Sequence, residues 1–471
     1  MRSEILKQYN IITDVNTLLN SLLNQVEKVN FRKLAFLNKE ENNSKLLRKH
    51  YIIIVIDELI KISINKNWNL TKRNGNIFIF NGCYFQIVEK ENFENFLGKV
   101  ALKMGVDIME AKYHQFQKEL YLQFLSQSFL EINEIKDRVL INLKNGTLEI
   151  SFNEINLRNF KYKDFLTYQL PFEFDKNKNC PLFKNFLDEV LPDESKQLVL
   201  AEYFGSVFIR REILKLEKML ILFGEGANGK SVIFEVFNAI LGDENISNFS
   251  LENLTDRNGY YRAMIGQKLV NYASEISGKV NPTVLKQLAS NEPVDARLPF
   301  GNPFTIKNYA KLIFNCNILP ETEEYTNAFF RRFLIIKFDK IIEEKNQDKE
   351  LANRIIKTEL SGIFNWIIDG LKRLLNQKNF TYSSAIDKAI LSYKRSSDSI
   401  LLFLSENHYQ KNIQKHISIQ ELFNSYRNFC FEWSYKYSNK SQFILRLKAL
   451  GFEVKRMSSG FVIYIDNEPK N

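Results

Sequence analysis

Cysteine and histidine are scarce in this chain, with four of each in 471 residues. Cys83, Cys180, Cys316 and Cys430 lie far apart and form no C-x-x-C pair, and the histidines are equally scattered. No zinc-ligand spacing results, and no disulfide framework is expected. A reducing, cytoplasmic compartment is the expectation. Long hydrophobic runs are missing too. Tyr51 to Ile56 is apolar but breaks at Asp57-Glu58, far short of a membrane span, and Met1 to Lys7 lacks the apolar core of a secretory signal. No membrane partner is expected. Internal repeats are absent, and low complexity goes no further than a general richness in Asn and Lys. Disorder is excluded by composition, since 45% of residues are hydrophobic and 13% aromatic. The length suits two to four domains.

Charge of one sign prevails. The net charge is +10 and the isoelectric point about 9.1. Residues 381–471 hold 13 Lys/Arg against 8 Asp/Glu, about half of the excess. Such a balance suits a polyanion, and it suits equally a lysine-rich coding bias.

The most informative stretch is Gly224-Glu225-Gly226-Ala227-Asn228-Gly229-Lys230-Ser231, a G-x-x-x-x-G-K-S phosphate loop. Met219 to Phe223 before it reads as a buried parallel strand. Val232 to Leu241 after it carries apolar residues at helical spacing and stops at Gly242. Strand, loop and helix aim backbone N–H groups and a helix N-terminus at a polyphosphate. Lys230 is expected on the β- and γ-phosphates of ATP and Ser231 on Mg²⁺. A metal-orienting acid belongs at the end of a neighbouring strand. Lys268 to Glu275 supplies one: Glu275 would polarise the attacking water, and Glu275 or Ser274 would hold the Mg²⁺ shell. An ordinary strand ending in a surface Glu fits those residues as well. Ile52 to Glu58 imitates this pattern more closely, but it continues into Leu59-Ile60-Lys61-Ile62 as a buried helix would. Lys311 to Pro320 is a strand ending in an amide, with Asn317 set to meet the γ-phosphate or the water. Phe329 to Phe338 puts Arg331 and Arg332 ahead of another buried strand, where an arginine can reach a phosphate held by a neighbouring subunit; a surface arginine pair fits those residues as well.

Around this core, residues 1–130 read as mainly helical with a hairpin near 75–88 turning at Asn81-Gly82, and Asn145-Gly146 marks a second turn. A Pro-containing linker and a helix near 194–211 lead to the loop. Residues 345–378 are helical, and the last 90 form helices followed by a hairpin.

Order and spacing of the central motifs, from Leu220 to Phe338, resemble the superfamily 3 helicases of the phage/plasmid primase–helicase family, which includes the poxvirus NTPase-primases. The likeness rests on Gly226 to Ser231, Ser274-Glu275, Lys286, Ala296-Arg297, Cys316-Asn317 with Pro320, and Arg331-Arg332. Leu143 to Leu148 and Cys180 to Leu187 resemble the family's helicase-associated N-terminal region, and Ser397 to Phe403 with the following 60 residues its C-terminal winged helix. Two positions depart from the pattern: Ser290-Asn291-Glu292 replaces a G-G-D turn, and Cys316 replaces a Thr.

The resemblance implies an α/β P-loop NTPase core of AAA+-like, superfamily 3 type, with a mainly helical N-terminal region and a C-terminal winged-helix domain. The expected boundaries are 1–130, 131–212 (helicase-associated), 213–345 (ATPase core), 346–380 (helical connector) and 381–471 (winged helix). It implies an ATP- and Mg²⁺-dependent helicase, assembled as a hexameric ring on single-stranded or forked DNA and moving 3′→5′. Lys230, Ser231, Glu275 and Asn317 would act from one subunit and Arg332, or less favourably Arg331, from the next. A hairpin from Arg297 to Tyr309 around Gly301-Asn302-Pro303 would carry DNA, with Arg297 and Lys307 on phosphates; Arg297 could instead pair with Asp295 or Glu292. Lys436, Lys440, Arg446, Lys448, Lys455 and Arg456 could meet phosphates or form a solvated face. Residues 1–130 hold no primase carboxylate set, so either the chain is the helicase half alone or priming resides on another polypeptide. Two other readings are an ATP-switched initiator without unwinding and a small-molecule kinase. A kinase has no use for Asn317 or the arginine pair.

Overall fold

A computed structural model describes residues 14–36, 45–73, 75–129, 137–151, 154–274, 276, 280–320, 324, 326–433, 435, 437–458 and 460–467. Helix α1 (Val15–Asn24) starts where the Asp14 carboxylate accepts from the Asn16 and Thr17 N–H groups. Helices α2 (Phe31–Ala35) and α3 (Arg48–Asn65) follow. The acid-tailed apolar run Ile52 to Glu58 is therefore helical, with Val55, Ile56 and Leu59 buried. Strands β1 (Thr71–Arg73), β2 (Asn76–Phe80) and β3 (Phe85–Val88) form an antiparallel sheet in that order. The β2–β3 turn is made where Asn81 predicts it, its side-chain oxygen accepting from the Cys83 and Tyr84 N–H groups. Helices α4 (Lys90–Met104), α5 (Ile108–Lys112) and α6 (His114–Gln127) complete this region. Leu18, Leu22, Leu59, Phe93, Leu97, Phe116 and Leu120 meet in its own core, at the three- and four-residue spacing of amphipathic helices.

Strands β4 (Val139–Leu143), β5 (Gly146–Ile150) and β6 (Ile155–Arg158) form a second antiparallel sheet. Leu143 pairs with Gly146, so the tight turn is Lys144-Asn145, one residue earlier than the Asn-Gly signal suggests. Helix α7 (Pro181–Val190) comes next, then α8 (Glu194–Ser206), five residues shorter than expected. It stops because the Phe208 and Ile209 N–H groups turn back to Gly205 and Ser206 in tight three-residue steps, which drives Val207, Phe208 and Ile209 into the core.

The central sheet begins with β7 (Met219–Phe223), α9 (Lys230–Leu241), β8 (Ile246–Ser247), α10 (Leu251–Leu254), α11 (Tyr260–Met264) and β9 (Val270–Ala273). It continues through α12 (Pro282–Ala289), a hairpin of β10 (Val294–Ala296) and β11 (Phe304–Ile306), β12 (Lys311–Cys316), α13 (Asn327–Phe330) and β13 (Phe333–Lys337). Five strands lie in the order β13-β7-β12-β9-β8, all parallel. Both faces are covered, which is why these strands read as unbroken apolar runs. Leu220, Leu222, Tyr272 and Ile313 face one cluster, while Met219, Ile221, Leu312 and Phe314 face another. The first cluster also takes in β4, β5, α7, α8 and the long helix α14 (Leu351–Gln377), so segments from 139 to 375 share one core. Within it Phe204 stacks on Phe237 with ring centroids 3.7 Å apart.

Helix α15 (Ser384–Ser397) returns to the sheet, its Tyr393 hydroxyl donating to the Pro320 carbonyl. Helix α16 (Ser399–Glu406), β14 (Gln410–Ser418), α17 (Ile419–Glu432), α18 (Lys440–Ala449), β15 (Val454–Met457) and β16 (Gly460–Asp466) then form a region with its own core around Phe403, Tyr426, Phe443 and Ile463. Its sheet runs β14-β16-β15, antiparallel. Among the described residues no helix is long and apolar enough to cross a membrane.

Candidate nucleotide-binding site

The glycine loop leaves the C-terminal end of β7 and is tied on both sides. The Gly224 N–H donates to the Cys316 carbonyl at 3.2 Å, the Phe338 N–H to the Phe223 carbonyl at 2.7 Å, and the Ile342 N–H to the Ala227 carbonyl at 2.7 Å. Ala227 and Gly229 both take positive φ, +57° and +87°, and Gly229 opens α9. A Cβ on Gly229 would lie 2.9 Å from Phe186 and Val190, so α7 itself demands glycine there. Gly226 is different: a Cβ there would meet nothing within 4 Å. No packing inside the protein explains its missing side chain, whereas the approach of a ligand would. Glu225, Gly226 and Ala227 are exposed, and Gly224 and Asn228 are buried.

Lys230 is 7% exposed, and its ammonium donates to the Gly224 carbonyl (2.6 Å), the Glu225 carbonyl (3.1 Å) and Asn228 Oδ1 (2.9 Å). Asn228 Nδ2 donates back to the Glu225 carbonyl. Burial pushes the ammonium below its usual pKa. All three partners are neutral oxygens, and among the described residues no carboxylate pairs with the ammonium, so a phosphate would supply its counter-charge. Ser231 is exposed in the first turn of α9, whose N–H groups face the same space. These residues fit a nucleoside polyphosphate. Among the described residues no group of three or more His, Cys, Asp or Glu gathers as a metal set. A Mg²⁺ here would take most of its ligands from phosphate and water, with the Ser231 hydroxyl beside them.

The neighbouring strand ends converge on this loop. Cys316 pairs with Phe223 in the register of β12 and β7, so Asn317, exposed, lies one residue beyond the carbonyl that holds Gly224. On the other side β9 ends at Ala273, opposite Phe314, and the exposed Ser274 follows. Glu275 and Lys436 lie outside the described residues. Beneath the site the fully buried Tyr272 hydroxyl donates to Asn315 Oδ1 at 3.1 Å, linking β9 to β12. Burial drives that hydroxyl far above its usual range, so it remains a donor at any working pH. Sequence reading passed over this pair because a Tyr and an Asn within apolar strands carry no motif. Cys316, standing where the family pattern has Thr, is buried, and burial pushes its thiol up to about 12 against the pull of Lys230. It fills space as a neutral thiol.

The arginine pair sits at the other end of the sheet. The Arg332 carbonyl accepts from the N–H of Met219, the first residue of β7, whereas the loop departs after Phe223. Five strand residues, roughly 15 Å, separate them, and neither arginine reaches the loop of its own chain. Arg332 is 9% exposed; its guanidinium donates to the Lys286 carbonyl (3.2 Å), Ser290 Oγ (3.0 Å) and the Ala328 carbonyl. Arg331 is the exposed member, its side chain 61% accessible and its guanidinium donating to Glu217 Oε2 at 3.0 Å. Lys286 pairs with Glu324 at 2.9 Å.

In the hairpin, Val294 pairs with Ile306 and Ala296 with Phe304, so the arms are shorter and begin earlier than expected, and residues 297–303 form the connection. Pro303 has no N–H to give a ladder, which limits the second arm to Phe304–Ile306. Arg297 is exposed, and its Nε donates to the Gly301 carbonyl at 2.9 Å rather than to Asp295 or Glu292. Lys307 is exposed just past β11. The hairpin root is held by Arg262, 5% exposed, which donates to the Asp295, Leu254 and Asp256 carbonyls. Tyr309 holds the other arm by donating to the Gln287 and Glu292 carbonyls. Neither anchor carries a sequence signature.

Two family models match parts of this chain. Residues 44–192 match the family described as "D5 N terminal like", and residues 222–332 a "Family of unknown function (DUF5906)". "Putative helicase 121R" of Invertebrate iridescent virus 3 is 23% identical over 368 residues, covering 68% of this chain and 38% of that protein. "Putative helicase L207/L206" of Acanthamoeba polyphaga mimivirus is 24% identical over 186 residues, 36% of this chain and 18% of that protein. The chain thus spans well under half the length of these relatives. "Uncharacterized metallohydrolase MJ0457" of Methanocaldococcus jannaschii is 26% identical over 169 residues, 33% of this chain and 40% of that protein. Among solved structures, the A form apo structure of the NrS-1 C-terminal region covers 84% of this chain and 95% of its own at 14% identity and a TM-score of 0.46, too loose an overlap to bear on the fold.

Sheet and glycine loop define a P-loop type α/β core joined to a helical N-terminal region. The chain carries superfamily 3 helicase-associated domains, D5-type followed by DUF5906, and is a distant relative of viral proteins named as helicases.

Proposed function

We propose that this chain is an ATP-dependent DNA helicase of phage/plasmid replication type, a ring-forming motor that couples hydrolysis to movement along single-stranded DNA. The observation that carries this reading is the Lys230 cradle at the C-terminal edge of the sheet, with Asn317 one residue beyond the strand that anchors it. Lys230 and the N–H groups of α9 hold the phosphates, Ser231 meets Mg²⁺, and Glu275 and Asn317 orient the attacking water. Phosphoryl transfer asks little else of a protein than positioning and charge.

The arginines support a shared active site, because they lie at the sheet edge away from their own loop. Of the two, Arg331 has the exposed guanidinium that a neighbouring chain's γ-phosphate could meet. Arg332, favoured by motif position, would then act through Arg331 by holding its segment against α12. A hexamer is the assembly this reading takes from the family. The order α16-β14-α17-α18-β15-β16 supports a winged helix over 381–471, with its excess of Lys and Arg toward duplex or forked DNA. The boundaries at 212 and 345 would then mark motif limits within one packed body. A separate primase would supply primers. ATP hydrolysis measured with and without single-stranded DNA tests the proposal. Turnover that ignores DNA would leave instead an ATP-switched initiator.

A further inference from the structure

We infer that Phe300, at the tip of the β10–β11 hairpin, stacks on an unpaired nucleobase and so supplies a contact that the basic residues beside it cannot. The inference rests on the DNA-motor reading above and names the hairpin's ligand as a base face rather than a phosphate. Phe300 is 104% exposed, more than any other large apolar side chain among the described residues. It also sits at φ +59°, a left-handed backbone that a side chain with a Cβ adopts at a cost of about 1–2 kcal/mol and that glycine would adopt freely. Folding gains nothing from an aromatic ring held in that way. Leu298 is 53% and Phe304 41% exposed beside it, so the tip Leu298-Pro299-Phe300 is uncharged, while the cations Arg297 and Lys307 stand at its flanks.

The tip is mounted rigidly. The Gly301 N–H donates to the Leu298 carbonyl at 2.9 Å and Arg297 Nε to the Gly301 carbonyl, closing the loop on itself. Arg262 and Tyr309 hold the root, and the hairpin is entered from Ser290, which accepts from Arg332 at the sheet edge carrying Arg331. A stiff arm tied to the arginine edge and tipped with a bare π face suits single-stranded nucleic acid. Every base offers a face to stack on whatever its identity, whereas a duplex hides those faces. Arg297 and Lys307 would track phosphates alongside.

The test is binding of fluorescein-labelled oligo-dT, and of an abasic strand of the same length, to the full chain and its Phe300→Ala and Phe300→Trp variants. Thermal midpoints and sizing columns serve as controls on folding and assembly. Wild type is expected to prefer oligo-dT over the abasic strand. Phe300→Ala should weaken oligo-dT binding by roughly 5- to 150-fold, the range for losing one aromatic–base stack, and abolish that preference. Phe300→Trp should retain it. If Phe300→Ala binds both strands as wild type does, the stacking contact is wrong and the motor reading stands. If Phe300→Ala breaks up the oligomer at unchanged thermal midpoint, the tip contacts a second copy of the chain and the inference is overturned. Wild type that binds neither strand would overturn the DNA-motor reading itself.

Discussion

Replacing Arg332 and Arg331 one at a time by alanine should separate two arginines that the sequence presents as a pair. Arg332 makes three hydrogen bonds inside its own chain, to Lys286, Ser290 and Ala328, and is 9% exposed. At a net ~1 kcal/mol for each bond, Arg332→Ala should cost about 3 kcal/mol. In a cooperative unit of this size that lowers the thermal midpoint by about 6–12 °C. The Arg331 guanidinium is largely solvated and pairs with Glu217, so Arg331→Ala should stay within about 0.5 kcal/mol of wild type. Activity should rank the other way. In the assembled protein Arg331→Ala should reduce turnover by a factor on the order of 10³, as loss of a trans-acting arginine does. Arg332→Ala protein still folded at the assay temperature should retain more. Urea denaturation with steady-state hydrolysis on the same preparations reads both. Equal stability of the two variants, or full activity in Arg331→Ala, would refute the reasoning.

The glycines of the loop give a second contrast. Gly229→Ala meets both a +87° backbone and the 2.9 Å approach of Phe186 and Val190, and should destabilise by about 2–4 kcal/mol in a melt without nucleotide. Gly226→Ala meets nothing and should melt as wild type, yet bind ATP more weakly in a titration with a fluorescent analogue; unchanged affinity would mean that no ligand approaches there. The thiols should be inert in the native state. Burial pushes Cys83 and Cys180 to about 11 and Cys316 to about 12, and raises Cys430 as well. For Cys83, Cys180 and Cys316 the reactive thiolate at pH 8 is then roughly 100-fold or more below that of a free cysteine, for which the usual value is ~8.5. Maleimide labelling followed by mass spectrometry should find little modification until urea is added, and rapid labelling of Cys316 in native protein would contradict its placement.

Much of the core was legible because buried parallel strands and a phosphate loop leave strong local marks. Met219 to Phe223, Lys311 to Cys316 and Phe333 to Lys337 read as strands for the reason they are strands, burial on both faces. What the sequence did not disclose is set by tertiary contact. Nothing in Arg331-Arg332 tells which guanidinium turns inward, since that depends on Ser290 and Lys286, more than 40 residues away. Arg262 and Tyr309 look like ordinary surface residues until the hairpin they anchor is in place. The hairpin register slipped from expectation because Gly301-Asn302-Pro303 signals a turn while Pro303 also ends the ladder. Residues 131–380 divide by motif, but β4, β5, α7, α8 and α14 pack on the same side of the sheet as the loop helix, a sharing of core that no local pattern records.

The measurement that bears most directly on the account is ATP hydrolysis by the full chain with and without single-stranded DNA, wild type beside Lys230→Ala. Lys230 is the buried cation of the loop, held among the described residues by neutral oxygens. Turnover should be stimulated by DNA in wild type and lost in Lys230→Ala, with that variant still folded. Hydrolysis indifferent to DNA, or surviving Lys230→Ala, would contradict the DNA-motor reading.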